Sequence, residues 1–188
     1  MRYIILLLVL TSFSLAQPLS LGKPNEEKQH SSWLNLGFGF GALGSLNTSY
    51  KQQGKAFFNP SLLADIQFAE LTAVTLELDM TTPNGGLGGW VGVEQQVLKT
   101  DVTPFVELQL GARHPGYDKR EGHKFGDVFG FATNLSGGFI FFRESFFRLR
   151  VKGGYEMIFN ECKDKSWNAE VNFFFAMGRP GIETIKVN

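Results

Sequence analysis

The stretch Leu34-Asn35-Leu36-Gly37-Phe38-Gly39-Phe40-Gly41 sets bulky apolar side chains on even positions and asparagine or glycine on odd ones. Successive side chains of an extended chain point to opposite faces, so a period of two marks a β-strand with one apolar and one polar face. Near the other end Trp167, Ala169, Val171, Phe173 and Phe175 alternate in the same way with Asn168, Glu170 and Asn172. Between these two stretches the rhythm returns after every turn.

The first strand is expected from about Trp33 to Leu43. A second, over Ala56 to Ala69, sets Leu62, Ala64, Ile66 and Phe68 against Asp65 and Gln67. In the third, Val74, Leu76, Leu78 and Met80 oppose Thr75, Glu77, Asp79 and Thr81. The fourth alternates Val91, Val93 and Val97 with Gly92, Glu94 and Gln96, and the fifth alternates Val106, Leu108, Leu110 and Ala112 with Glu107, Gln109, Gly111 and Arg113. Phe129, Phe131, Thr133 and Leu135 face away from Gly130, Ala132, Asn134 and Ser136 in the sixth, whose far end, Phe139 to Phe142, is apolar on both parities. Strand seven opposes Phe147, Leu149, Val151, Tyr155 and Met157 to Arg148, Arg150, Lys152 and Glu156, and strand eight ends near Met177. About eight strands in up-and-down order predict an all-β, antiparallel barrel over residues 33–177.

Longer polar connections are expected after strands one (Gly44 to Lys55), three (Pro83 to Gly89), five (His114 to Gly126) and seven (Asn160 to Ser166). Shorter ones follow strands two, four and six. Transmembrane barrels of bacteria are organised in this way, with long loops outside the cell and brief turns in the periplasm. The N-terminus agrees with export. Arg2, the apolar run Tyr3 to Leu10 and the small residues of Ser14-Leu15-Ala16 read as a secretory signal peptide over residues 1–16. That run is shorter than the roughly 20 apolar residues of a membrane-spanning helix. Residues 17–32 read as a flexible periplasmic leader, and 178–188 as a tail or the end of the last strand. No later apolar stretch would span a bilayer as a helix, so membrane residence would be through strands. Lys and Arg number 18 and Asp and Glu 18, a balance that argues against nucleic-acid binding. The lone Cys162 forms no intramolecular disulfide.

Parity does not say which face is outside, because a soluble lipocalin-like carrier of an apolar ligand would turn its apolar face inward. Composition favours the membrane arrangement. The polar parity mixes glycine, Asn, Gln and Ser with few charges, and those are segregated: Asp65, Glu77, Asp79, Glu94 and Glu107 on strands two to five, and Arg148, Arg150 and Lys152 on strand seven. Buried charges are tolerable only when paired, so an inward network of both signs, completed by Arg113, Glu156 and Glu170, is the expected lumen. Trp33, Trp90, Tyr155 and Trp167, near strand ends, are candidates for an aromatic girdle at the lipid boundary.

On these features the chain resembles the small eight-stranded bacterial outer-membrane barrels, the group that includes OmpA transmembrane domains and OmpX-like and OmpW-like proteins. The resemblance covers nearly all of the chain after the signal peptide and rests on architecture rather than on a motif. Such barrels commonly finish on a terminal aromatic residue, whereas this chain continues from Phe175 to Asn188. The resemblance implies an outer-membrane location, contact with membrane lipid and lipopolysaccharide, a monomer, and long loops open to an extracellular partner.

No chemistry-bearing constellation stands beside this pattern. A lipid deacylase would need a base and a nucleophile together, and His114, His123 and Ser136 fall on no common strand face. His114, Asp118, Glu121, His123 and Asp127 match no compact metal spacing. Gly85 to Gly89 lacks the Lys-Ser or Lys-Thr of a phosphate-cradling loop and reads as a hairpin loop. The expectation is a non-enzymatic envelope protein without metal or cofactor. The alternatives are a narrow transport pathway, with Gly37, Gly39, Gly41, Gly92, Gly111 and Gly130 leaving space, and the lipocalin-like carrier.

Overall fold

The computed structural model describes residues 34–46, 56–82, 85–114, 129–161 and 163–177. They form β1 Leu34–Ser45, β2 Ala56–Ala69, β3 Thr72–Thr81, β4 Gly86–Gln96, β5 Thr103–His114, β6 Gly130–Phe141, β7 Phe147–Phe159 and β8 Lys165–Ala176. Each strand pairs antiparallel with the next, and β1 also pairs with β8, setting Leu36 opposite Phe175 and Phe40 opposite Val171. The sheet is therefore a closed up-and-down barrel, as the alternation predicts. Closure removes the unpaired edge that would leave backbone groups unsatisfied in hydrocarbon.

Leu34 and Met177 meet at one end of the barrel, where the Met177 amide donates to the Leu34 carbonyl at 3.0 Å. The β2–β3, β4–β5 and β6–β7 turns share this terminal end. The opposite, loop end carries the other connections. Burial decides which parity faces out: Leu62 is 65 % exposed and Leu78 62 %, while Thr75 and Gln109 are 1 % exposed. An apolar internal cavity of the lipocalin kind is therefore not what this barrel encloses. The apolar residues form its outer wall.

Several strands run farther than the sequence suggests. Gly86 and Gly88 pair with Thr81 and Asp79 of β3, so the expected hairpin loop Gly85–Gly89 is mostly strand, with only Gly85 in a positive-φ turn conformation (69°). Glycine carries no hydropathy, which hid the alternation there. Ser45 pairs with Ser166, so Gly44, Ser45, Lys165 and Ser166, expected in loops, are also strand. Long and short connections consequently alternate less regularly than expected. Residues 82–85 join β3 to β4 and 160–164 join β7 to β8, neither longer than 97–102 between β4 and β5. β6 reaches Phe141, and its double apolar parity arises because Ile140 is buried inside while Phe139 faces out. The expected signal peptide, leader and tail lie outside the described residues.

Candidate functional site, the barrel lumen

Inward positions of all eight strands converge on a polar interior, and side chains of all eight, from Asn35 of β1 to Glu170 of β8, supply its charged and amide groups. At its middle, Lys152 Nζ of β7 lies 2.7 Å from Glu77 Oε2 of β3, 3.3 Å from Glu170 Oε2 of β8 and 3.5 Å from Glu107 Oε2 of β5. Gln109 donates to Glu77 (2.8 Å) and Glu107 (3.2 Å), Thr75 and Ser136 donate to Glu107, and Asn134 donates to Gln109 at 2.7 Å. An ammonium surrounded by three carboxylates, themselves hydrogen-bonded to amides and hydroxyls, is a buried charge with its desolvation opposed on several sides.

Toward the terminal end, Arg150 Nη1 lies 2.9 Å from Glu94 Oε2, 3.7 Å from Asp65 Oδ1 and 3.9 Å from Glu107 Oε1. Its guanidinium also sits 4.7 Å from the Phe174 ring centroid and 5.8 Å from that of Phe105. Cations over aromatic faces gain from the ring quadrupole, the more so when desolvated. Toward the loop end, Arg113 Nη1 bonds Asp79 at 2.7 Å, its Nη2 donates to Thr81 Oγ1 at 2.9 Å, and its Nε lies 3.1 Å from Glu156 Oε1. Trp90 Nε1 donates to Asp79 Oδ2 at 2.7 Å, and its ring lies 5.8 Å from the Arg113 guanidinium.

Three ion-paired groups are thus stacked along the axis, and ten of the eleven charged residues expected in the lumen belong to them. Arg148, the eleventh, is buried at 5 % exposure near the Arg150 group but makes no ion pair with it. The glycines expected to leave space do not leave the lumen hollow. Phe174 packs over Gly37, Asn172 over Gly39, Glu170 over Gly41, Gln109 over Gly92 and Trp90 over Gly111. A Cβ at any of these positions would collide with its neighbour, so the glycines seat large side chains. A cavity of about 10 Å³, bounded by Asp65, Gln96, Arg148, Arg150 and Phe174, has room for about one water.

No family profile and no curated protein matches the chain. Solved structures match its architecture, two of them with the following likeness. Neisserial surface protein A is 14% identical, with a TM-score of 0.56 over 77% of this chain and 97% of that one. The N-terminal β-barrel domain of Pseudomonas aeruginosa OprF is 10% identical, with a TM-score of 0.53 over 78% of this chain and 98% of that one. The fold is that of a bacterial outer-membrane barrel. At these identities the likeness concerns architecture alone.

Within that barrel fold the expected aromatic girdle needs a correction. Trp90 is 4 % exposed inside the lumen, because it shares the inward parity of Gly92 and Glu94 and its indole N–H finds an acceptor in Asp79. Tyr155 is 40 % exposed and Trp167 half-buried, both on the outward parity, while Trp33 lies outside the described residues. Ser136 donates to Glu107 in the lumen at 3.1 Å, whereas His114 falls on the outward parity at the end of β5, so the two are not brought together. Among the described residues no group of three His, Cys, Asp or Glu side chains is placed to hold a metal. Asp118, Glu121, His123, Asp127 and Cys162 lie outside the described residues.

Strict parity counting finds Trp90 and Phe174, since each falls among polar inward residues. Arg143 had no such signal. It belongs to the β6–β7 turn, yet is 4 % exposed and reaches across the terminal mouth, donating from Nη2 to the Glu70 carbonyl at 2.6 Å and from Nε to Gln96 Oε1 at 2.7 Å. Its own amide donates to the Asp101 carbonyl at 3.0 Å. One residue thereby ties together the three turns of that end, behind Phe142 in the left-handed region (φ 58°).

Proposed function

We propose that the protein is a non-enzymatic integral outer-membrane barrel whose lumen is a plug rather than a pore, and which serves envelope structure or presents its loops to an extracellular partner. The observation that carries this reading is the pairing of an exposed apolar wall with an interior filled by mutually bonded charges. A wall with Leu62, Leu78, Leu87 and Leu135 all about 60 % exposed would be a liability in water and is the ordinary surface in lipid. An eight-stranded barrel is just narrow enough for its own side chains to fill it. The apolar wall would contact membrane lipid, including lipopolysaccharide on the loop side, as a monomer. Export by the N-terminal signal belongs to the same proposal.

Cell fractionation tests location, and planar-bilayer recording tests the plug. Recovery in detergent-extracted outer membranes, with electrical silence after insertion, is the expected result. Recovery in the soluble periplasm would overturn the membrane reading. Steady conductance would overturn the plug and favour the transport pathway.

A further inference from the structure

Carboxyl groups outnumber cations inside the barrel. Between the Arg113–Asp79 pair and the terminal mouth, the lumen buries Asp65, Glu77, Glu94, Glu107 and Glu170 against Arg148, Arg150 and Lys152. Asp65 and Glu94 face Arg150 and Arg148, and the charges there balance. Glu77, Glu107 and Glu170 share Lys152, and Arg150 reaches only Glu107 among them, at 3.9 Å. Fully ionised, these groups would hold two uncompensated negative charges away from water, a state that burial penalises heavily.

Hydrogen bonds decide which carboxyl gives way. Glu77 accepts from Lys152 at 2.7 Å and from Gln109 at 2.8 Å. Glu107 accepts from Thr75 at 2.6 Å, from Ser136 at 3.1 Å and from Gln109 at 3.2 Å. Donors of this kind favour the ionised form. Glu170 Oε2 is buried and accepts no hydrogen bond, and its nearest cation is Lys152 at 3.3 Å. On β1 it stands opposite Gly41, which brings no donor side chain, and its inward neighbours on β8 are the neutral Asn168 and Asn172. The charged groups facing it are Lys152 and Arg150 of β7 and Glu77 and Asp79 of β3, the last already bonded to Arg113. Among the described residues no three acidic, His or Cys side chains are placed to hold a metal ion. Packing is also tight: a Cβ added at Gly41 would fall 2.7 Å from Glu170 Cγ, so that side has no room even for a methyl group. A proton needs no room.

We propose that Glu170 is a proton-binding residue of the lumen, un-ionised in the folded barrel, and that the barrel therefore gains stability as pH falls. The proton comes from solvent on folding and sits on a Glu170 oxygen, turning an acceptor-only carboxylate into a group that also donates. The surplus charge that remains is spread over Glu77 and Glu107, which hold Lys152 and four hydrogen bonds from Gln109, Thr75 and Ser136. The unfolded chain releases its Glu170 proton above about pH 4.3, the ordinary value of a glutamic acid. Above that pH the folded state holds one proton more than the unfolded one, so stability declines as pH rises.

Urea unfolding of the full chain in vesicles, from about pH 5 to about pH 8, compares the unmodified protein with Glu170→Gln, which keeps the shape of the neutral acid. Relative to the variant, the unfolding equilibrium constant of the unmodified protein is expected to rise about tenfold per pH unit while the folded state keeps the proton. Glu170→Gln should then have the higher midpoint at the alkaline end, and the two should converge at the acid end. A gap that does not change with pH, or a lower midpoint for Glu170→Gln at the alkaline end, would overturn the proposal. A dependence on sodium at constant pH and ionic strength that Glu170→Gln abolishes would put a metal cation beside Glu170 and overturn it too. Infrared spectra of the folded proteins read the proton directly. The carbonyl stretch of a protonated carboxylic acid is expected in the unmodified barrel and should weaken in Glu170→Gln. Absence of that band from the unmodified protein, which needs no variant to fold, or an unchanged band in the variant, would refute the assignment.

Discussion

Arg150 holds Glu94 at 2.9 Å with almost no exposure on either side chain, whereas Lys99 meets Glu70 in a pair that is half in water. Water screens the second pair and abandons the first. Removing one member of a buried pair strands the other charge at a cost of about 3–5 kcal/mol, while exposed pairs are worth about 0–1 kcal/mol. Arg150→Ala should therefore lower the urea midpoint in vesicles far more than Lys99→Ala. Adding Glu94→Gln to Arg150→Ala should restore part of the loss, because it removes the stranded carboxylate. Equal midpoints for the two single variants would mean that water reaches β7's inward charges. Trp90→Phe is a milder case: Asp79 loses the indole donor but keeps Arg113, and the expected loss is about 1–3 kcal/mol.

Each strand obeys a single rule of alternation, and that rule made most of the architecture legible. β2 has the bounds its pattern gives, and the inward charges could be named because each falls on the parity opposite Leu, Val or Phe. What the pattern concealed has physical causes. Glycines at the start of β4 carry no hydropathy, Ile140 places an apolar side chain inside between outward Phe139 and Phe141, and Arg143 acts from a turn where no period exists. Inward Gly111 and outward Gly153 differ by the same rule. A Cβ at inward Gly111 would meet the Gly89 backbone and the Trp90 ring, while outward Gly153 has nothing nearer than 3.7 Å. Gly111→Val should thus cost about 1–3 kcal/mol through overpacking, and Gly153→Val should leave the midpoint nearly unchanged. On the outer wall, Leu108 sits mid-strand and Val102 at the turn. Arginine at a bilayer midplane costs about 2–4 kcal/mol and near the interface about 0–1 kcal/mol, so Leu108→Arg should be the more damaging of the two. The reverse order would displace the membrane from the middle of the barrel.

Along the barrel axis the Arg113, Lys152 and Arg150 groups act in series, with the Arg143 strap across the terminal mouth. A path through the lumen would have to cross all of them, since ring closure leaves no route between strands. Opening one group still leaves the others in the way. Trp90→Ala removes bulk only from the loop-end group and Phe174→Ala only from the terminal-end group, and neither touches Lys152 with its three carboxylates. The unmodified protein and both variants should accordingly be silent in planar-bilayer recordings, even though each variant enlarges the local cavity. Folding must be checked on the same samples. A closed barrel that resists detergent at room temperature migrates differently on unheated and boiled gels, and that difference should persist in both variants. Steady conductance from either folded variant would show that one group alone holds the path shut, and the arrangement in series would have to be given up.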